Sequence, residues 1–273
     1  VSWLKVSSIN ELNAARAAAS AAGKSTALVV GNTKTGPYGK DNTTDIFIDI
    51  SALPELNFRT ASGTEGVTVG AAVTITKLMS YLTENAALSP GSYEALVNHM
   101  KRVGNWQVRN VGCWAGNLTM AKTLKFASDL STIFMGAGAT LSVLYKGVQS
   151  TMSIYDYLWD EHDMDQLLLL AIQIPVLQPN EVFQTYRAAI RQNSAHALLN
   201  AAFRVTLSGG VVTDATLVYG LAQDRAVFAA EAEAALKGKP LDVAALSNVL
   251  DALDSFELIV ESHYKTVYQP EGK

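Results

Sequence analysis

The sequence holds a single cysteine, Cys113, among 273 residues. No internal disulfide can form. The chain alone cannot bind a common iron–sulfur cluster, which takes four cysteine thiolates. Such sparing use of cysteine fits a reducing compartment, and a cytoplasmic location is expected. Basic charge is not in excess either: 21 Lys and Arg stand against 25 Asp and Glu, a formal net charge of -4. With no Lys/Arg-rich run, a nucleic-acid partner is not expected, because its phosphates call for a basic face. Long apolar runs are missing as well. Residues 130–145 come nearest, but glycine, serine and threonine interrupt them, so no membrane span is expected. The four histidines, His99, His162, His196 and His263, are scattered without metal-ligand spacing, and no protein-bound metal is expected. Neither GxSxG nor HExxH occurs, which leaves a hydrolase reading without a motif. GxGxxG and Walker patterns are absent too. The chain opens at Val1 with no signal-like segment, as a processed, excised or truncated piece would.

What is present reads as globular. Hydrophobic residues make up 49% and charged residues 17%, and the length fits one large domain or two smaller ones. Residues 1–50 form a β–α–β–β pattern. Ser8 followed by Glu11 is a capping-box signature, the Ala-rich stretch 12–22 favours helix, and Gly23 is a suitable stop. A strand over 27–30 runs into the turn Gly31-Asn32-Thr33-Lys34-Thr35-Gly36-Pro37, and a strand over 46–50 follows. Residues 51–165 read as a second mixed lobe. It has strands over 67–70 and 139–145, helices over 76–85 and 92–102, a polar loop over 105–117, and a helix from Ser128-Asp129 to about Met135. From 166 the texture changes. Strands over 167–174, 183–190, 201–207 and 211–219, with a Ser208-Gly209-Gly210 hairpin turn, precede helices over 225–236 and 243–253. This last unit reads as an antiparallel α+β layer.

Four segments have the residue types for chemistry, and each also has a plainer reading. At Leu28-Val29-Val30-Gly31-Asn32-Thr33-Lys34-Thr35 an apolar strand enters a turn where Gly31 permits close backbone approach. Successive N–H groups there suit phosphate oxygens; an ordinary strand-to-loop turn is the alternative. The run from Gln107 to Thr119 places Gly112, Cys113, Gly116 and Asn117 where small residues let backbone lie against a ring or pyrophosphate, or simply pack tightly. Cys113 has no histidine nearby in sequence and reads as a small buried hydrophobe. Asp129 after Ser128 is either a helix-start acid favoured by the dipole or an acid aimed at a ribose hydroxyl. Arg187 and Arg191 alternate with apolar residues. They form either a paired basic strand face for phosphate or a flavin edge, or a solvated one.

Taken together, the order and spacing of these segments resemble the FAD-binding domain of xanthine dehydrogenase and aldehyde oxidase, and the medium subunit of bacterial carbon monoxide dehydrogenases. The resemblance is carried by Leu28-Val29-Val30-Gly31-Asn32-Thr33, Val69-Gly70-Ala71-Ala72, Arg109-Asn110-Val111-Gly112 with Ala115-Gly116-Asn117-Leu118, Phe126-Ala127-Ser128-Asp129, and Arg191-Gln192-Asn193-Ser194-Ala195-His196-Ala197. It implies an α+β fold: a two-lobed PCMH-type FAD-binding domain over 1–165, with lobes of about 1–50 and 51–165, then a small α+β C-terminal domain over 166–273. It also implies a flavin module of a molybdenum hydroxylase. FAD would be held without a covalent bond by Leu28 to Thr35, with Gly112, Cys113, Gly116 and Asn117 on pyrophosphate and ring. Ser128 and Asp129 would lie on the adenosine side, Leu169 against the isoalloxazine, and Arg187 where the family has a lysine near the ring. Partners would be iron–sulfur and molybdopterin domains or subunits within a larger oligomer, with NAD or O2 as acceptor. Lys34, Trp114 and Val103 depart from the family pattern. Two rivals remain: a covalent flavoprotein of the vanillyl-alcohol oxidase type, and a module that has lost FAD and serves as a binding, pigment or structural protein.

Overall fold

The structure, a computed structural model, describes residues 1–35, 39, 41–125, 128–220 and 225–253. The Gly36-Pro37 end of the first turn and Phe126-Ala127 lie outside the described residues.

The first lobe is a parallel sheet of β1 (Ser2–Lys5), β2 (Thr26–Val29) and β3 (Ile46–Asp49), with β3 in the middle. Helix α1 (Ile9–Ala21) supplies the crossover from β1 to β2 that parallel strands require. The Ser8 hydroxyl accepts from the Glu11 N–H at 3.2 Å. The return arm of the expected capping box is shifted by one residue: the Glu11 carboxylate takes the Ser7 N–H at 2.7 Å.

The second lobe is an antiparallel sheet of β4 (Arg59–Ser62), β5 (Gly66–Gly70), β6 (Thr140–Tyr145), β7 (Val148–Ser153) and β8 (Leu167–Ile174), in the order β4-β5-β8-β6-β7. The sequence reading places 167–174 in the C-terminal unit. Instead β8 hydrogen-bonds between β5 and β6, and the second lobe closes only at residue 174, not at 165. Nearly all of β8 is buried, as befits a central strand; such a run lacks the alternation that names a partner.

Helices α2 (Ile75–Glu84), α3 (Ser92–Met100), α4 (Trp106–Val111), α5 (Trp114–Thr123), α6 (Asp129–Gly136) and α7 (Ile154–Trp159) pack around this sheet. Two of them, α4 and α5, occupy the stretch read as a polar loop. Asn105 Oδ1 accepts the Val108 N–H at 2.9 Å and Cys113 Sγ accepts the Gly116 N–H at 3.2 Å, so each helix has a side-chain cap. A cysteine cap and two glycines within seven residues hide this from propensity arguments.

The C-terminal unit is an antiparallel sheet of β9 (Glu181–Ala189), β10 (Ala197–Ser208), β11 (Val211–Gly220) and β12 (Val227–Phe228), in the order β12-β11-β10-β9. Helix α8 (Ala230–Leu236) starts later than expected, because 227–228 pairs with 218–219 as a strand. A further helical stretch covers 243–253. One face of this sheet lies on α6, where a Cβ at Gly136 would stand 2.4 Å from that of Ala202. Phe183, Ala202 and Val218 thereby join the main core. The other face makes a second, smaller core with Val212, Leu217, Ala232, Leu236 and Val249.

Candidate functional site

The turn after β2 is pressed against the junction of α4 and α5. A Cβ at Gly31 would fall 2.1 Å from the Val111 carbonyl oxygen and 2.9 Å from the Gly112 nitrogen. Only glycine permits that approach. Asn32 takes a left-handed conformation with φ 48, and the Thr35 hydroxyl donates to the Asn32 carbonyl at 3.0 Å, closing the turn. The opposing junction is pinned to the lobe behind it, since the Ile75 N–H donates to Gly112 O at 2.9 Å.

Beside this contact lies a cavity of about 740 Å³. Leu28, Val29, Val30, Gly31, Asn32, Thr33 and Lys34 line it from the first lobe. Gly112, Cys113, Gly116, Asn117, Asp129 and Leu169 line it from the second. The N-terminal turn of α5 thus opens on the cavity, where the helix dipole favours an anion. Cys113 is buried with its thiol pushed up by that burial, which suits a cap and not a nucleophile. Lys34 Nζ pairs with Asp41 at 3.1 Å.

Thr35, Ser128 and Arg187 do not line the cavity, contrary to expectation. Ser128 stands behind it: its hydroxyl bonds to Asn117 Oδ1 and caps α6 by accepting the Ser131 N–H. Arg187 is turned inward, its side chain 2% exposed, with Nε 3.1 Å from both oxygens of Asp129 and Nη2 on the Ala195 carbonyl at 2.6 Å. It is not a free charge beside a ring. Arg191 lies past the end of β9 and donates to Ser194 O, so the two arginines do not form one strand face.

Asp129, unlike those three, lines the cavity, and it is also tied into the fold behind it. Its carboxylate accepts from His99 Nε2 at 3.1 Å, Asn200 Nδ2 at 3.0 Å and Arg187 Nε. Three of these contacts fall on Oδ1 and only one, from Arg187 Nε, on Oδ2, which keeps an acceptor position among the described residues. Burial alone would raise this carboxyl, but the His99 hydrogen bond and the His99 and Arg187 charges outweigh it and hold it below its ordinary value.

The cavity also has lining that the sequence did not announce. Arg16, Thr26, Met164 and Asp165 belong to it, as do Val103, Gly104, Asn105, Ser194, Ala195 and His196. Nothing local marks Arg16, which sits in an Ala-rich helix. Its Nε is shielded from solvent without a partner among the described residues.

A volume of this size lies within the range of pockets that hold cofactor-sized ligands, and a lining that joins the Gly31–Asn32–Thr33 turn to the start of α5 suits a pyrophosphate. Residues 1–177 match the FAD binding domain in molybdopterin dehydrogenase, and residues 184–262 match the CO dehydrogenase flavoprotein C-terminal domain. The chain belongs to the FAD-binding domains of molybdopterin dehydrogenases. FAD is the cofactor of this family, and the residues present fit it.

Among relatives, the abscisic-aldehyde oxidase of Arabidopsis thaliana is 32% identical over 267 residues, covering 92% of this chain and 20% of that protein. An indole-3-acetaldehyde oxidase of the same plant is 36% identical over 216 residues, covering 72% and 16%. The FAD-binding chain thus spans about a fifth of the length of these relatives. Among solved structures, the carbon monoxide dehydrogenase of Hydrogenophaga pseudoflava matches with a TM-score of 0.80 at 19% identity, over 97% of this chain and 94% of that one. Quinoline 2-oxidoreductase of Pseudomonas putida 86 matches with a TM-score of 0.75 at 19% identity, over 96% and 92%. At that identity the two structures speak for the fold. Trp114, the bulkiest departure from the family pattern, does not intrude on the FAD cavity. It is fully buried and donates from Nε1 to the Gly70 carbonyl at 3.0 Å. No helix among the described residues is long and apolar enough to cross a membrane.

Proposed function

We propose that the chain serves as the flavin module of a molybdenum hydroxylase, standing between iron–sulfur centres and a final acceptor, NAD or O2. When bound, FAD supplies the exchange between one-electron centres and a two-electron acceptor, while protein groups set its position and electrostatics. The observation that carries this reading is the cavity closed by the Gly31–Lys34 turn on one side and the start of α5 on the other. In this assignment the pyrophosphate lies against Gly31, Gly112 and Gly116, where small residues allow close approach, and is met by the turn at Asn32 and Thr33 and by the side chain of Asn117. Leu28 to Val30 and Leu169 provide apolar wall. Thr35 and Ser128 act from behind, closing the turn and orienting Asn117. With one cysteine, the chain takes its electrons from iron–sulfur and molybdopterin domains or subunits outside this sequence, in a larger assembly. The lone thiol suits a cytoplasmic setting.

An absorbance spectrum before and after heat denaturation tests the assignment. Flavin bands that move into the supernatant on heating are expected. A colourless chain that takes up no added FAD would overturn it and leave the module without flavin as the better reading.

A further inference from the structure

Arg16, Lys34, Asp129 and Asp165 are the lysine, arginine and acidic residues that line the cavity among the described residues. Three of them are committed to the fold around them. Arg16 donates to the carbonyls of Met164 and Leu167 and lies in the field of Asp165 and Asp163. Asp129 is paired with Arg187, and Asp165 accepts from the Thr26 hydroxyl. Lys34 differs. It stands in the short turn Thr33–Thr35, directly after Gly31 and Asn32. Its side chain is 37% exposed, which leaves it room to swing, and Nζ meets Asp41 Oδ2 at 3.1 Å. Of the three donors of an ammonium, that contact uses one. Asp41 does not depend on it. Oδ1 accepts from the Thr43 N–H at 3.0 Å, the Thr43 hydroxyl at 2.9 Å and the Thr44 N–H at 3.1 Å, and Oδ2 from the Thr44 hydroxyl at 2.8 Å. The Thr44 hydroxyl, and then the Thr43 groups, hold this carboxyl far below its ordinary value, with the lysine contributing least. The carboxylate therefore stays charged and hydrogen-bonded when the lysine turns away.

We propose that Lys34 is an exchange cation for the cofactor, giving up Asp41 for the pyrophosphate of FAD. The inference rests on the FAD assignment above. The turn and the α5 dipole offer a phosphate only partial charge. A whole positive charge must come from a side chain, and Arg16 is already faced by two carboxylates. Lys34 follows the Gly31–Thr33 turn in the chain and carries a compact, mobile point charge of the kind that binds phosphate. The exchange is cheap, because a partly exposed ion pair contributes little to stability. Asp41 thus acts in two ways. It keeps the ammonium beside the cavity, and it competes with phosphate for it.

The competition gives the two residues opposite signs in one experiment. FAD affinity is measured by flavin fluorescence quenching on the full chain at several salt concentrations. Lys34→Gln loses about tenfold, and its affinity falls less steeply with salt than the parent's. Asp41→Asn, which keeps Oδ1 for the two backbone N–H groups, gains about threefold, the scale of an exposed pair that need no longer be broken. Lys34→Arg keeps most of the parent's affinity, and all three variants keep its melting temperature. The midpoint potential of bound flavin is the same in Lys34→Gln as in the parent, because the charge lies at phosphate and not at the ring. Unchanged FAD affinity in Lys34→Gln overturns the inference. So does an Asp41→Asn chain that binds FAD no more tightly than the parent, since the lysine then has nothing to leave. A lowered potential in Lys34→Gln puts the charge at the ring and overturns it too. A parent chain that binds no FAD overturns the FAD assignment itself.

Discussion

Arg187 and Asp129 meet across the seam between the C-terminal sheet and α6, with Nε 3.1 Å from each carboxylate oxygen and both side chains nearly free of solvent. His99 from α3 and Asn200 from β10 complete the node, so one carboxylate ties four elements together. Removing one partner leaves a buried charge without its counterion. Asp129→Ala is expected to lose about 3–5 kcal/mol of stability in urea unfolding. A double-mutant cycle with Arg187→Met should recover part of that loss. Equal and additive losses would show that the two charges do not support each other.

The same node makes the chain acid-sensitive. The Asp129 carboxyl is held below its ordinary value, so its contribution is fully present above the unfolded carboxylate range near about 4. That contribution disappears as the pH falls through the lowered folded value. His196 acts with the same sign from higher pH: burial, and then the Arg187 charge, hold it neutral against the pull of Asp129, so the folded state loses ground once the unfolded histidine takes its proton, below about 6.5. Melting temperature against pH should therefore fall toward acid. In Asp129→Asn the lower part of that fall should be missing. An unchanged profile would remove Asp129 from this account.

Gly31→Ala tests the contact between the lobes. Its Cβ would meet the Val111 carbonyl at 2.1 Å, backbone against backbone, so the turn must retreat. We expect a cost of about 1–3 kcal/mol and a loss of FAD affinity of tenfold or more, followed by flavin retention on gel filtration. Full retention in the variant would show that the cradle tolerates a wider spacing.

Cys113 should be inert in the native protein. Its thiol is buried, caps α5, and is shifted upward, so little thiolate exists near pH 8. A colorimetric thiol reagent should titrate one group after denaturant and almost none before it. Rapid modification without denaturant would contradict the burial.

Legibility followed locality. The start of α6 was readable because Ser128 and Asp129 are a cap and a dipole partner written next to each other. The Leu28–Thr35 segment was readable because a strand, a glycine and a polar turn stand in one run. What escaped the sequence depends on chain segments far apart. Arg187 lies 58 residues from the aspartate it pairs with, so nothing near it in sequence announces that buried contact. Arg16 is silent in an Ala-rich helix until β8 brings the carbonyl of Leu167 to it. The α4–α5 region escaped for a different reason: its caps are local, but one is a cysteine, and glycines lower the helix propensity around it.

The position of β8 has a consequence for synthesis. On the ribosome, β5 is complete at residue 70 and β6 at residue 145, yet neither has its inner neighbour until residues 167–174 emerge. Throughout that interval two strand edges stand bare, the condition in which sheets recruit the wrong chain. Pairing across so many residues is also slow, because the loop must close before the pairing stabilises it. The late strand works as a keystone, and the vulnerable period of this chain's life is the wait for it.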